Sequence, residues 1–355
     1  MGFLRLEHVR IAGIAGGVPS NVVNNAAGIA SSNEYDSQAF IETTGVAERR
    51  VSSVLTTSDL CYAAAERLLN DLHWRKEEIE ILIFVTQTPD YIVPATACIM
   101  QDRLGLSKDC YAEDISLGCS GWVYGLSNVA SLLSAGGGKA LLMVGDAKRT
   151  SPKENDPLFG WAGVVTALEY AEDAQPMMFN FGSDGSGFDA IIIPDGGCRN
   201  QFAESSFEEQ DVEGHKLSRL QTWMKGMDVF AFGISTAPKS VKRLAEHFGF
   251  DYSSYDYLVL HQANMKLNNM IAKKLKFEKE KVPFSMYHYG NTSSASIPLT
   301  IITELRDKVK SSTKLLCCGF GVGLSWGTVA LTVDNLVISD LINVDDKDID
   351  AKYVV

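Results

Sequence analysis

Two continuous apolar runs limit the folds open to this chain. Residues 80–88 read EILIFVTQT and residues 257–262 read YLVLHQ, each bounded by polar positions. A strand with no polar face must be covered on both sides. Helical periodicity follows each run, over 95–104 in the first case and 265–276 in the second. Each group then passes a small-residue turn, enters another apolar helix (123–133 and 294–309) and ends in a strand (140–145 and 314–318). Strands alternating with helices predict an α/β fold with buried sheets. The matching order predicts two related halves, 1–175 and 176–355. Residues 171–210, richer in Gly, Asp and Ser, read as the link between them.

At 355 residues the chain exceeds what one core usually serves. Further elements expected are a strand over 9–16, a loop over 31–37, a helix over 58–72 capped by Ser58 or Asp59, and a strand over 110–115. A net charge of −12 argues against nucleic acid and against an anionic membrane surface as partners. Seven cysteines form no C-x-x-C pair, and an odd count suits a reducing cytoplasm. Residues 1–10 are charged, without an apolar leader, and no run has the length of a membrane span. The expectation is a cytoplasmic protein.

Chemistry concentrates in three segments. In DISLGCSGWVY, residues 114–124, Cys119 sits at a glycine-flanked turn between a strand and an apolar helix. Unpaired N–H groups and the positive end of a helix dipole favour thiolate over thiol there, and the thiolate is the nucleophile. A serine-hydrolase elbow on Ser120 is excluded because Trp122 stands where glycine is needed. The second segment is His261-Gln262-Ala263-Asn264, at the exit of a buried strand, with Asn264 placed to cap the next helix. The third, YGNTSSASIP over 289–298, is a small-residue turn carrying Asn291. All three lie at the carboxyl ends of strands, where α/β sheets collect reactive groups.

Other signals carry less. Gly319, Gly321 and Gly323 precede a strand and no helix, which leaves nothing to hold a pyrophosphate. Cys317 and Cys318 fall on opposite faces of a strand and cannot clasp one metal. The remaining histidines lack a comparable context.

With these segments in order, the chain resembles the β-ketoacyl-ACP synthase III branch of the thiolase superfamily, nearly end to end. CSGWVY (119–124), HQAN (261–264), GNTSSASIP (290–298) and GFGVGLSWG (319–327) match that family's motifs, and Asn291 follows His261 by 30 residues as the family requires. Lesser matches are TGVAERR (44–50) and DGS (184–186). The resemblance implies a thiolase-like fold of two pseudo-repeated halves in an αβαβα layering. It implies Cys119, His261 and Asn291 as catalytic residues, and backbone N–H groups of Cys119 and Val322 as the oxyanion hole. The implied reaction takes an acyl group from acyl-CoA or acyl-ACP onto Cys119 and condenses it, with loss of CO2, with malonyl-ACP. No metal or redox cofactor is implied. Lys266 and Lys273 would dock the acyl carrier protein, and Tyr91 or Ile92 would close the acyl pocket across a homodimer. The alternative is an acyltransferase of the same fold that passes the acyl group from Cys119 to an alcohol or amine.

Four positions depart from the family; one is Val322, which replaces a frequent glycine at the oxyanion turn and keeps its amide N–H. Ala39 replaces a tryptophan that stacks on coenzyme A, and Thr43 replaces an arginine before the T-G-V turn. Phe159-Gly160-Trp161-Ala162-Gly163 carries an aromatic where the family has an acid.

Overall fold

The computed structural model describes residues 2–30, 37–147 and 156–354. The loop expected over 31–37 falls almost wholly outside them. The chain enters through β1 (Phe3–Leu6) and β2 (Val9–Pro19), then runs α1 (Thr57–Asp71), β3 (Ile79–Val85), α2 (Thr96–Leu104), β4 (Tyr111–Ile115), α3 (Gly121–Gly136), β5 (Lys139–Gly145) and β6 (Gly163–Tyr170). The second half runs β7 (Met177–Ser183), α4 (Gly226–Phe248), β8 (Tyr257–Leu260), α5 (Met265–Leu275), α6 (Ser296–Glu304), β9 (Thr313–Gly321) and β10 (Ser325–Val333). It closes with two short strands, β11 (Val337–Ile338) and β12 (Ile342–Val344).

One sheet has the order β11-β2-β6-β5-β3-β4, with β12 also on β2; the other has the order β1-β7-β10-β9-β8. In the first, β3 pairs parallel with β4 and β5; in the second, β8 pairs parallel with β9. The halves exchange their ends: β1 joins the second-half sheet, and β11 and β12 join the first-half sheet.

Side-chain alternation sets the layers. Along β3, Ile81, Ile83 and Val85 face the central core, while Leu82 and Phe84 face a separate outer cluster with α1 and α2. This is why the run has no polar face. The central core also takes Trp122, Val123, Leu126 and Leu133 of α3 and Ile297, Leu299 and Ile301 of α6. Alternation likewise sends Cys317 to this core and Cys318 to the outer cluster under α4 and α5. The result is helix, sheet, helix, sheet, helix. Trp122 is fully buried, with its indole N–H on Thr166 Oγ1 at 3.0 Å, and its truncation to alanine costs about 3–5 kcal/mol.

Local corrections follow from capping and packing. The cap of α1 is Thr56, not Ser58 or Asp59; Asp59 sits at the third helical position and takes the Thr56 N–H at 2.9 Å, half of a capping box. The helix expected over 294–309 is confined to Ser296–Glu304 behind a 3-10 turn, Ser293–Ala295. Among the elements that escape the sequence reading are β1, β6, β7 (inside the supposed link), β11, β12 and α4, whose interior Pro238 is buried. No helix among the described residues is long and apolar enough to cross a membrane.

Candidate active site

Cys119 lies two residues before the first residue of α3, half-buried, in a turn closed by the Gly121 N–H on Gly118 O at 2.6 Å. The end of β9 presses against it. A Cβ on Gly319 would stand 2.8 Å from Cys119 O, and one on Gly321 would stand 2.6 Å from Cys119 Sγ. Both are closer than real Cβ contacts, so glycine at 319 lets the two backbones meet and glycine at 321 leaves room for the Cys119 side chain. Val322, half-buried, follows directly and reaches the other side of the turn, where a Cβ on Gly118 would meet Val322 Cγ1 at 3.0 Å and Gln87 Oε1 at 2.4 Å.

His261 is 1% exposed and Asn291 5% exposed. The histidine leaves β8 with its backbone N–H on Cys318 O at 2.9 Å, one residue short of Gly319. Asn268 Nδ2 donates to His261 O at 2.9 Å, and Phe320 meets the imidazole edge-on at 5.8 Å. Nδ1 lies 2.7 Å from Ser296 Oγ, at the start of α6. Asn264 caps α5 as expected, accepting the Leu267 N–H at 2.8 Å.

Asn291 is held by the segment that departs from the family. Its N–H donates to Leu158 O at 2.9 Å, and the Gly160 N–H donates to its carbonyl at 3.1 Å. Its side-chain Oδ1 accepts the Ser293 N–H at 2.9 Å, which assigns Nδ2 as the donor end. The bulk of Trp161 is buried with Leu55, Leu60 and Val344. The turn then reaches α3: a Cβ on Gly121 would lie 3.2 Å from Ser294 Cβ. Residues from both halves therefore converge on the Cys119 turn.

The peripheral matches serve this frame. Gly45, at φ +77°, sits where a Cβ would meet Met265 Cε at 2.7 Å, so the T-G-V turn closes onto α5. Arg49 is buried with Nε on Asn25 Oδ1 at 3.2 Å, and burial pulls its pKa down. The Asp184 and Leu324 backbones exchange hydrogen bonds at 2.8 and 3.1 Å, anchoring the turn that carries Val322.

Lys266 and Lys273 are both exposed on α5, two turns apart and hence on one face. Tyr91 is half-buried with its hydroxyl on Tyr353 O at 2.7 Å, whereas Ile92 is 94% and Val93 80% exposed. Ala39 is exposed on a short helix, Ser37–Thr44.

The sequence reading assigned no role to Ser296, although it lies inside a quoted motif, nor to Ser120 and Ser325, whose hydroxyls meet at 2.7 Å. Spacing along the chain carries no sign of the second contact. Burial raises the thiol pKa of Cys61, Cys317 and Cys318, the last to about 12, and that of Cys110 to about 11. These four stay protonated at neutral pH.

Comparison with known proteins gives one consistent answer. Residues 245–333 match the family model described as 3-oxoacyl-(acyl-carrier-protein) synthase III C terminal. The chain is 32% identical to the β-ketoacyl-(acyl-carrier-protein) synthase III of Clostridium acetobutylicum, covering 92% of this chain and 99% of that one. It is 32% identical to a putative 3-oxoacyl-(acyl-carrier-protein) synthase 3 of Campylobacter jejuni, covering 95% and 98%. The crystal structure of a 3-oxoacyl-(acyl-carrier-protein) synthase from Burkholderia xenovorans superposes with a TM-score of 0.88 at 38% identity, covering 97% and 99%.

Proposed function

Because this chain belongs to the 3-oxoacyl-(acyl-carrier-protein) synthase III family and shares its thiolase-like fold, we propose that Cys119, His261 and Asn291 perform that family's condensation here. What supports the assignment is that the end of β9 and the turn after Asn291 both meet the Cys119 turn, while His261 and Asn291 are buried on the segments that lead to those contacts.

The Cys119 thiolate attacks the carbonyl of an acyl thioester. The donor's thiolate leaves, takes a proton, and an acyl-enzyme remains. Oxyanion charge in that step is met by the Cys119 and Val322 N–H groups. Malonyl-ACP then enters. Its C–CO2 bond breaks, and the electron pair passes into an enolate held by Asn291 Nδ2 and His261 Nε2. We assign the ring hydrogen to Nε2, where it can donate; Nδ1, 2.7 Å from Ser296 Oγ, then accepts from that hydroxyl. The enolate carbon attacks the acyl–Cys119 carbonyl and the thiolate leaves, giving 3-oxoacyl-ACP and CO2.

The acidic carrier protein docks on the Lys266–Lys273 face of α5, whose exposure suits a charged partner on an otherwise acidic molecule. Two copies pair, and the exposed Ile92–Val93 tip of one closes the acyl pocket of the other. Tyr91 is tied back to its own chain, which favours Ile92 for that role. The seven cysteines, all free thiols, suit a reducing cytoplasm. The alternative, transfer to an alcohol or amine, gains nothing from the relatives' names.

The test is CO2 release and 3-oxoacyl-ACP formation from carboxyl-labelled malonyl-ACP, with a panel of acyl-CoA and acyl-ACP donors. Product that requires both a donor and Cys119, and is lost in Cys119→Ala, upholds the reading. An acyl-Cys119 that forms but never consumes malonyl-ACP overturns it.

A further inference from the structure

Ser120 is the N-cap residue of α3, yet its hydroxyl makes no cap bond to its own helix. A serine there ordinarily accepts an N–H from the first turn, so its orientation calls for a cause. Ser120 Oγ lies 2.7 Å from Ser325 Oγ, and Ser325 Oγ donates to Val322 O at 2.8 Å. Each hydroxyl has one hydrogen. Since Ser325 gives its hydrogen to Val322 O, Ser120 must be the donor to Ser325. Both serines are buried, at 1% and 4% exposure.

We propose that Ser120 and Ser325 are positioning residues, forming a directed relay, Ser120 to Ser325 to the Val322 carbonyl, that sets the second oxyanion donor against the nucleophile. The relay starts one residue after Cys119 and ends on the residue whose N–H is assigned to the oxyanion hole. The turn that carries Val322 is anchored at its ends by the Gly321–Ser325 pairing and the Asp184–Leu324 bonds, but Gly321 and Gly323 flank Val322 and glycine restricts φ and ψ least, so a direct hold on the Val322 carbonyl adds to those anchors. Holding the Val322 carbonyl fixes the peptide plane it shares with the Gly323 N–H and so pins Val322 Cα; the Val322 N–H lies one plane earlier, between that Cα and Gly321, whose place is set by its pairing with Ser325. An oxyanion donor must be aimed before the charge develops, or its reorganisation enters the barrier. The inference rests on the acyl-transfer step proposed above and on nothing later in the cycle.

Two rates on the same sulfur separate the effects. Acylation of Cys119 by an acyl thioester, followed by intact-protein mass, passes through an oxyanion. Alkylation of Cys119 by iodoacetamide, followed on its peptide, does not. Ser120→Ala and Ser325→Ala are expected to slow acylation by roughly ten-fold or more while leaving alkylation within about two-fold, and Ser325→Thr to restore acylation. Unchanged acylation in both alanine variants, or equal slowing of both rates, overturns the relay. A wild-type enzyme that acylates normally but releases no CO2 overturns the condensation reading and leaves the relay intact. A wild-type enzyme that accepts no acyl group overturns both.

Discussion

His261 Nδ1 and Ser296 Oγ stand 2.7 Å apart in the buried interior, joining the exit of β8 to the first residue of α6. In the proposed mechanism Nδ1 accepts from that hydroxyl, which leaves the ring hydrogen on Nε2 to donate to an enolate. Removing the hydroxyl leaves Nδ1 unsatisfied and lets the tautomers mix. Ser296→Ala should lower the condensation rate about ten-fold, as expected for one lost buried hydrogen bond. Single-turnover acylation of Cys119 should change much less, and equal loss in both steps would argue against a tautomer role.

Gly321→Ala places a methyl carbon 2.6 Å from Cys119 Sγ. Either the thiol or the end of β9 must move by several tenths of an ångström. Acylation should fall by about 100-fold, the scale of a misplacement near 1 Å. Thermal unfolding recorded alongside separates this from loss of fold, and full activity in a well-folded variant would contradict the proposed seat of the sulfur.

Lys266→Glu reverses one charge on the exposed face of α5. The KM for malonyl-ACP should rise about ten-fold, more steeply at low ionic strength. Use of a small malonyl thioester should be unaffected. A matched loss with both substrates would place carrier docking elsewhere.

Asp90 is a half-buried carboxyl, pushed above its ordinary 3.8 mainly by desolvation and only partly relieved by the Ser58 hydroxyl at 2.7 Å. Its folded pKa exceeds its unfolded one, so the native state binds the proton more tightly and loses stability as pH rises through that interval. Asp90→Asn removes the ionisation while keeping an acceptor for Ser58. The variant should melt higher than wild type at pH 7, with the gap narrowing as pH falls toward 4. A pH-independent gap would remove desolvation as the cause.

Much of the site was legible because its signals are local. Cys119 at a glycine turn, His261 at the exit of an apolar run and Asn264 before a helix depend on neighbours within a few residues. The apolar run now seen as β3 revealed two-sided burial for the same reason: period-2 alternation with no polar face. What escaped was either masked by composition or non-local. β7 begins inside a Gly- and Asp-rich stretch, and Pro238 interrupts the apolar spacing of α4. Neither helix propensity nor spacing reveals that a buried proline is tolerated.

By itself, then, the sequence determined the α/β class, the family and the three chemical segments, since each is written in short-range pattern and motif. Only the tertiary structure decided that β1 and β11–β12 trade sheets, that the Phe159–Gly160 segment cradles Asn291, and that Ser120 answers to Ser325 across 205 positions. Contacts of that range depend on which surfaces meet when whole layers pack. No window of sequence contains both partners, and a hydroxyl's orientation is settled by the acceptor it finds there.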